Sequence, residues 1–89
     1  MSKTIWKFTV PIIDRPVTVM PRGAEILHVG MQGDACCLWA LVDPGEADEE
    51  RAIRIYDTGH PVEQFPGRHI GTFMAMQGRL VFHAFEPTP

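Results

Sequence analysis

Eighty-nine residues, 45% of them hydrophobic, supply one domain's worth of chain with enough apolar side chain to build a core, which excludes intrinsic disorder. The formal charge is −3, with eight Lys and Arg against eleven Asp and Glu. The arginines are dispersed along the chain, so nothing gathers the several phosphate contacts that nucleic-acid affinity requires. No apolar run reaches the roughly 18 residues of a membrane span, and the start, MSKTIWKF, lacks a signal peptide's continuous apolar segment. A cytoplasmic protein with no membrane partner is therefore expected. Its only cysteines are the adjacent Cys36 and Cys37. Neighbouring strand residues point to opposite faces, so these two cannot share a metal or an ordinary disulfide.

The chain opens on an alternating stretch, Thr4 to Val10, with Trp6, Phe8 and Val10 on one side and Lys7 and Thr9 on the other. This period of two predicts a strand, limited by Pro11. Val17 to Met20 forms a second short strand, closed by a turn at Pro21-Arg22-Gly23. From Ala24 to Gln32, Ile26, His28 and Gly30 share one parity and Leu27, Val29 and Met31 the other. Gly33-Asp34 then makes a hairpin turn. Ala35 to Asp43, ACCLWALVD, is the most continuously apolar stretch and is placed as a central strand covered on both sides.

Pro44-Gly45 ends that strand, and an acidic segment follows. Asp48 and Glu49 suit the N-terminal end of a helical dipole, so one helical turn is expected around Ala47 to Ala52. Ile53 and Ile55 alternate with Arg54 and Tyr56 in the next strand. The stretch from His60 to Arg68, with two prolines and a glycine, reads as an ordered loop. His69 to Gln77 and Arg79 to Glu86 are the last strands, flanking a turn at Gly78, and the tail Pro87-Thr88-Pro89 cannot extend a ladder. The expected fold is all-β: one domain over residues 1–89, a small antiparallel sandwich or partly open barrel of six to seven short strands with at most one helical turn.

The most chemically loaded region combines Asp57-Thr58-Gly59-His60-Pro61 with Arg68-His69-Ile70-Gly71-Thr72. Glycine lets backbone approach a ligand, and Arg and His donate hydrogen bonds to phosphate or carboxylate. Asp57, Thr58, His60, Arg68, His69 and Thr72 are therefore candidate ligands for a small anion, although turn chemistry explains the same glycines and prolines. Glu46, Asp48, Glu49 and Glu50 form a candidate surface for a basic partner. The histidines His28, His60, His69 and His83 lack the close spacing of a zinc motif, so no metal and no cofactor is expected. An enzyme would use His60 or His69 as base, with Asp57 paired to His60. No motif supplies a nucleophile or an oxyanion hole, and no catalytic residue is assigned.

The segments IWKF (5–8), EILHVGMQGD (25–34), CLWALVD (37–43), TGHP (58–61), HIGTF (69–73) and LVFHAFE (80–86), taken in order, resemble a family of small bacteriophage and prophage proteins, a domain of unknown function with no assigned catalytic or ligand residue. The resemblance implies a phage accessory protein, of a kind often directed against host defence. Together with the surplus of aromatic and methionine side chains, it sets the leading expectation: a protein that binds a host protein or complex in the host cytoplasm. A homodimer fits the same apolar surplus. The rivals are a small-anion or signalling-nucleotide binder and a small hydrolase.

Overall fold

A computed structural model describes residues 2–87, so the expectation for Thr88 and Pro89 lies outside the described residues. It shows eight antiparallel strands and, among the described residues, no helix: β1 (Thr4–Thr9), β2 (Val17–Pro21), β3 (Glu25–Gln32), β4 (Ala35–Val42), β5 (Asp48–Ala52), β6 (Arg54–Asp57), β7 (Arg68–Ala75) and β8 (Leu80–Glu86). They form two open three-stranded sheets, β1-β4-β3 and β6-β8-β7, and a two-stranded ribbon, β2-β5.

β4 is the middle strand of its sheet, as its apolar sequence predicts. Its even-numbered residues Cys36, Leu38, Ala40 and Val42 are all buried in the core. Cover on both sides is only half fulfilled. On the opposite face Cys37 is buried, but Trp39 and Leu41 are half-exposed. His28 rather than a second layer lies against Trp39, ring centroids 5.8 Å apart. The second sheet answers with Ile55, Phe73, Ala75, Phe82 and Ala84, and the segments around the ribbon add Met20, Ala24 and Ile53. Phe73 and Phe82 stack at 5.5 Å in this interior.

The simple alternation expected of β3 is interrupted. A bulge between Ile26 and His28 puts Leu27 out of register, so Ile26 and Val29, of opposite parity, are both buried. β7 carries a matching irregularity between His69 and Gly71. The two sheets approach along these strands, with Cα atoms of β3 and β7 within 8 Å. The contact is close: a Cβ on Gly71 would stand 3.1 Å from Val29 Cγ1, and the valine would have to give by a few tenths of an ångström. An extra residue in each ladder bends its strand, and here both bends serve the same inter-sheet contact.

The helical turn expected near Ala47 to Ala52 is corrected. Asp48–Ala52 is a strand, paired antiparallel to β2 with Val19 opposite Glu50 and Met20 opposite Glu49. Local preference for helix in an acidic, alanine-containing run yields to the unpaired backbone of β2, whose N–H and C=O groups need a partner beside a buried Met20. The remaining strands fall where periodicity places them, within one or two residues at their ends. The Gly33-Asp34 turn closes its hairpin directly, with Gln32 opposite Ala35.

Candidate functional site

The six residues expected to converge on a small anion divide among three places. Arg68 belongs to an ion-pair cluster around Glu86. Arg51 Nε donates to Glu86 Oε2 at 2.7 Å, and Arg68 Nη2 lies 3.5 Å from Glu86 Oε1. The Glu86 side chain is only 13% exposed, so its charge is held by these two guanidiniums rather than by water. Arg51 Nη1 also donates to the Ala24 carbonyl at 2.8 Å, and Arg68 Nη2 to that of Ile26 at 3.3 Å. The cluster thereby ties β5 and the end of β8 to the first sheet.

Thr58, His69 and Thr72 lie on the outer face of the second sheet, joined through His83. Thr58 Oγ1 sits 2.7 Å from His83 Nε2, Thr72 Oγ1 is 2.9 Å from His83 Nδ1, and His69 Nε2 is 3.2 Å from Thr72 Oγ1. Thr58 Oγ1 donates to the Val81 carbonyl at 3.2 Å. With a neutral imidazole, that donation has His83 Nε2–H donate to Thr58, leaving Nδ1 to accept from Thr72, whose oxygen in turn accepts from His69 Nε2–H. Every hydroxyl and imidazole in this row thus has a partner within the row. His69 additionally lies 5.1 Å from the Phe85 ring. The row is an internal network along the sheet surface and leaves no set of donors aimed at one point.

Asp57 and His60 line a cleft of about 620 Å³ at the outer edge of β6, together with Ile12, Ile13, Arg15, Arg54, Tyr56 and Glu63. Arg54 and Tyr56 point outward from β6 because Ile53 and Ile55 are turned into the core. Glu63 comes from the segment between β6 and β7, which has no regular secondary structure. Its Oε1 receives three groups: Tyr56 Oη donates at 2.8 Å, Arg54 Nε at 3.3 Å, and Arg15 Nη2 lies 3.9 Å away. The Tyr56 hydrogen bond, with the two guanidiniums, holds the Glu63 carboxyl below its ordinary range, while burial and the same hydrogen bond push the Tyr56 hydroxyl up. Asp57 Oδ1 is buried with no hydrogen-bond partner, and Asp57 Oδ2 stands 3.9 Å from His60 Nε2, beyond hydrogen-bond reach.

A second cleft, about 920 Å³, opens at one end of the molecule between the β3–β4 and β7–β8 turns. Its wall is largely apolar: Ile12, Met31, Met74, Met76, Leu80 and Phe82. Met74 and Met76 are 65% and 64% exposed. Asp34 and Arg79 stand among the lining residues as charged groups of opposite sign. The β7–β8 turn forming one lip is conformationally costly, for Met76 and Gln77, neither of them glycine, adopt left-handed φ values of 54° and 57° before Gly78 at 84°.

The acidic candidates do not form one patch. Glu46 lies in the turn after β4, while Asp48, Glu49 and Glu50 alternate along β5. Glu49 Oε2 accepts from the Gly23 backbone N–H at 3.4 Å, and Glu50 stands opposite the exposed Val19. Nor do the four histidines converge: His28 is on the first sheet against Trp39, His60 borders the β6 cleft, and His69 and His83 share the outer row. Among the described residues no three His, Cys, Asp or Glu side chains are grouped to hold a metal ion. Burial, with the neighbouring Cys37, pushes the Cys36 thiol up to about 11, so it is no nucleophile at neutral pH.

Several residues of both clefts escaped the sequence reading: Arg15, Arg54, Tyr56 and Glu63 in one, Met31, Met74, Met76 and Leu80 in the other. A signal existed for Arg54 and Tyr56, because alternation with buried isoleucines already places them on the outer face. Glu63 carried no such signal, since its loop position is set only by the tertiary contacts it makes.

Open antiparallel sheets, with no helix among the described residues and with mixed-charge and methionine-lined clefts on their surface, define a small all-β domain. A family model described as a domain of unknown function (DUF7352) matches residues 1–89, and the chain belongs to that family. No curated protein and no solved structure matches it. Among the described residues no helix is long and apolar enough to cross a membrane.

Proposed function

We propose that this is a non-enzymatic phage or prophage protein that acts in the bacterial cytoplasm by docking a host protein, in the manner of a counter-defence inhibitor. The methionine-lined groove carries this reading. Large apolar side chains left in water at one end of a small domain have no structural use, and a contiguous patch of them is the usual mark of a binding surface. Methionine suits the role because its unbranched, polarizable side chain moulds to varied apolar partners. Asp34 and Arg79 supply the polar margin that surrounds the apolar centre of most interfaces. The resemblance to phage proteins supplies the biological setting.

The test is affinity capture from bacterial lysate with the wild-type protein and with a Met74→Gln/Met76→Gln variant. Both side chains are mostly exposed, so the variant keeps the fold, which circular dichroism and a melting curve verify. A partner held by the wild type and lost by the variant supports groove docking. Equal retention by both proteins, or no specific partner, removes it. Truncation of central contacts costs at least about 1 kcal/mol each at such interfaces, so the paired change lowers affinity by roughly tenfold or more.

A further inference from the structure

We infer that the cleft beside β6 is a binding site for a small phosphomonoester carrying a hydroxyl or amino group, and that Glu63 fills the phosphate position when no ligand is bound. The inference begins with an imbalance of hydrogen bonding. Two donors on β6, Arg54 and Tyr56, hydrogen-bond to a single carboxylate oxygen, Glu63 Oε1, and a second guanidinium, Arg15 before β2, stands 3.9 Å from the same oxygen, outside hydrogen-bond reach. A guanidinium offers five N–H donors in a planar fork, and two guanidiniums with a phenol are far more than one oxygen can serve. The approach distances decline in quality accordingly, from 2.8 Å for Tyr56 to 3.9 Å for Arg15. A phosphate presents three terminal oxygens to the same donors, and paired arginines are the side chains best matched to it.

Glu63 can leave the two β6 donors that hold it. Arg54 and Tyr56 are fixed by the β6 ladder against β8, whereas Glu63 lies within the segment 58–67, between Pro61 and Pro66 and outside regular structure. Its side chain is 43% exposed, and two residues on, Phe65 is 82% exposed, so the segment is held by few buried contacts. An incoming phosphate replaces one anion by another and leaves neither arginine uncompensated.

The second half of the assignment comes from Asp57. Its carboxylate lines the same cleft on a side chain 36% exposed: Oδ1 is covered by protein and has no partner among the described residues, and Oδ2 is the oxygen a ligand can reach. A ligand hydroxyl or ammonium near the phosphate would satisfy it, which a bare anion does less well. Asp14 and Asp57 add negative charge to the lining, and this too disfavours a ligand that is only anionic. Ile12, Ile13, Ile55 and Phe82 give the remaining wall an apolar character, and the volume, about 620 Å³, falls in the range of small-molecule sites.

The experiment is calorimetric titration of inorganic phosphate and of O-phosphoethanolamine into wild type, Glu63→Ala, and Glu63→Ala combined with Arg15→Ala. Glu63 and Arg15 are both substantially exposed, so the variants fold, as melting curves will register. Removing the internal carboxylate is expected to tighten phosphate binding by roughly tenfold, within the ordinary range for such coupling. O-phosphoethanolamine should bind more tightly than phosphate, and adding Arg15→Ala should abolish the gain. Unchanged affinity in Glu63→Ala, absence of binding to both probes, or a gain that survives loss of Arg15 overturns the assignment. No preference for the amine-bearing probe overturns the role of Asp57. Arg15, Asp57 and Glu63 do not line the methionine groove, which shares Ile12 and Phe82 with this cleft, so groove docking can fail or hold independently.

Discussion

The residue with the least freedom is Gly67, just before β7. It adopts φ of +100°, and a Cβ there would overlap the Glu86 carbonyl oxygen and Pro87 Cα, which are backbone atoms unable to turn aside. Gly67→Ala is therefore expected to destabilise the protein by about 3 kcal/mol or more, read as a fall in the urea midpoint. A change within about 0.5 kcal/mol would mean the two chain segments do not cross as described. The cysteines make a complementary case. Both are buried, and Cys36 is pushed up to about 11 by burial and its neighbour, so below that value it stays a neutral thiol. Neither should react with a disulfide reagent at pH 8 in the native protein, and both should react at once in guanidinium. Rapid reaction of the folded protein would place the centre of β4 at the surface.

Among the elements, the β7–β8 turn separates conformational cost from packing. Met76 and Gln77 hold left-handed backbone conformations that cost an L-residue roughly 1 kcal/mol each. Gln77→Gly should raise stability by about that amount, since glycine adopts this φ without penalty; a loss of stability would mean the Gln77 side chain makes contacts worth more than the strain. That turn also marks where sequence reading succeeds and stops. Period-two alternation located β1, β2, β4, β6 and β8, and Gly33 and Gly78 announced their turns. The bulges at Leu27 and Ile70 were invisible, because an extra residue is recognised only when the partner strand is known. β5 was mistaken for a helical turn for the same reason: Asp48, Glu49 and Glu50 have weak strand preference, and only the unpaired edge of β2 makes them a strand. In the candidate site, Asp57 and His60 were legible as cleft residues, whereas Arg68 was drawn away by Glu86, and Thr58, His69 and Thr72 by His83. Strong local donors find the nearest acceptor in space, and sequence neighbourhood does not identify it.

At the scale of the molecule, apolar exposure is uneven. Among the described residues β1 pairs only with β4, and Ile5 and Trp6 on it remain 57% and 41% exposed, so the first sheet extends past its cover. The methionine groove lies at the β3–β4 and β7–β8 turns, where side chains rather than an open backbone edge are offered. The first kind of surface invites strand addition, and the second a moulded apolar contact.

These alternatives separate in one spectrum. Methionine methyl groups labelled with carbon-13 place reporters at Met31, Met74 and Met76 around the groove and at Met20, which is 1% exposed in the core and serves as the internal control. On addition of the captured host protein, the Met74 and Met76 methyl signals should shift or broaden while Met20 holds its position. Binding that leaves the groove methyls unmoved would contradict the account and direct attention to another face.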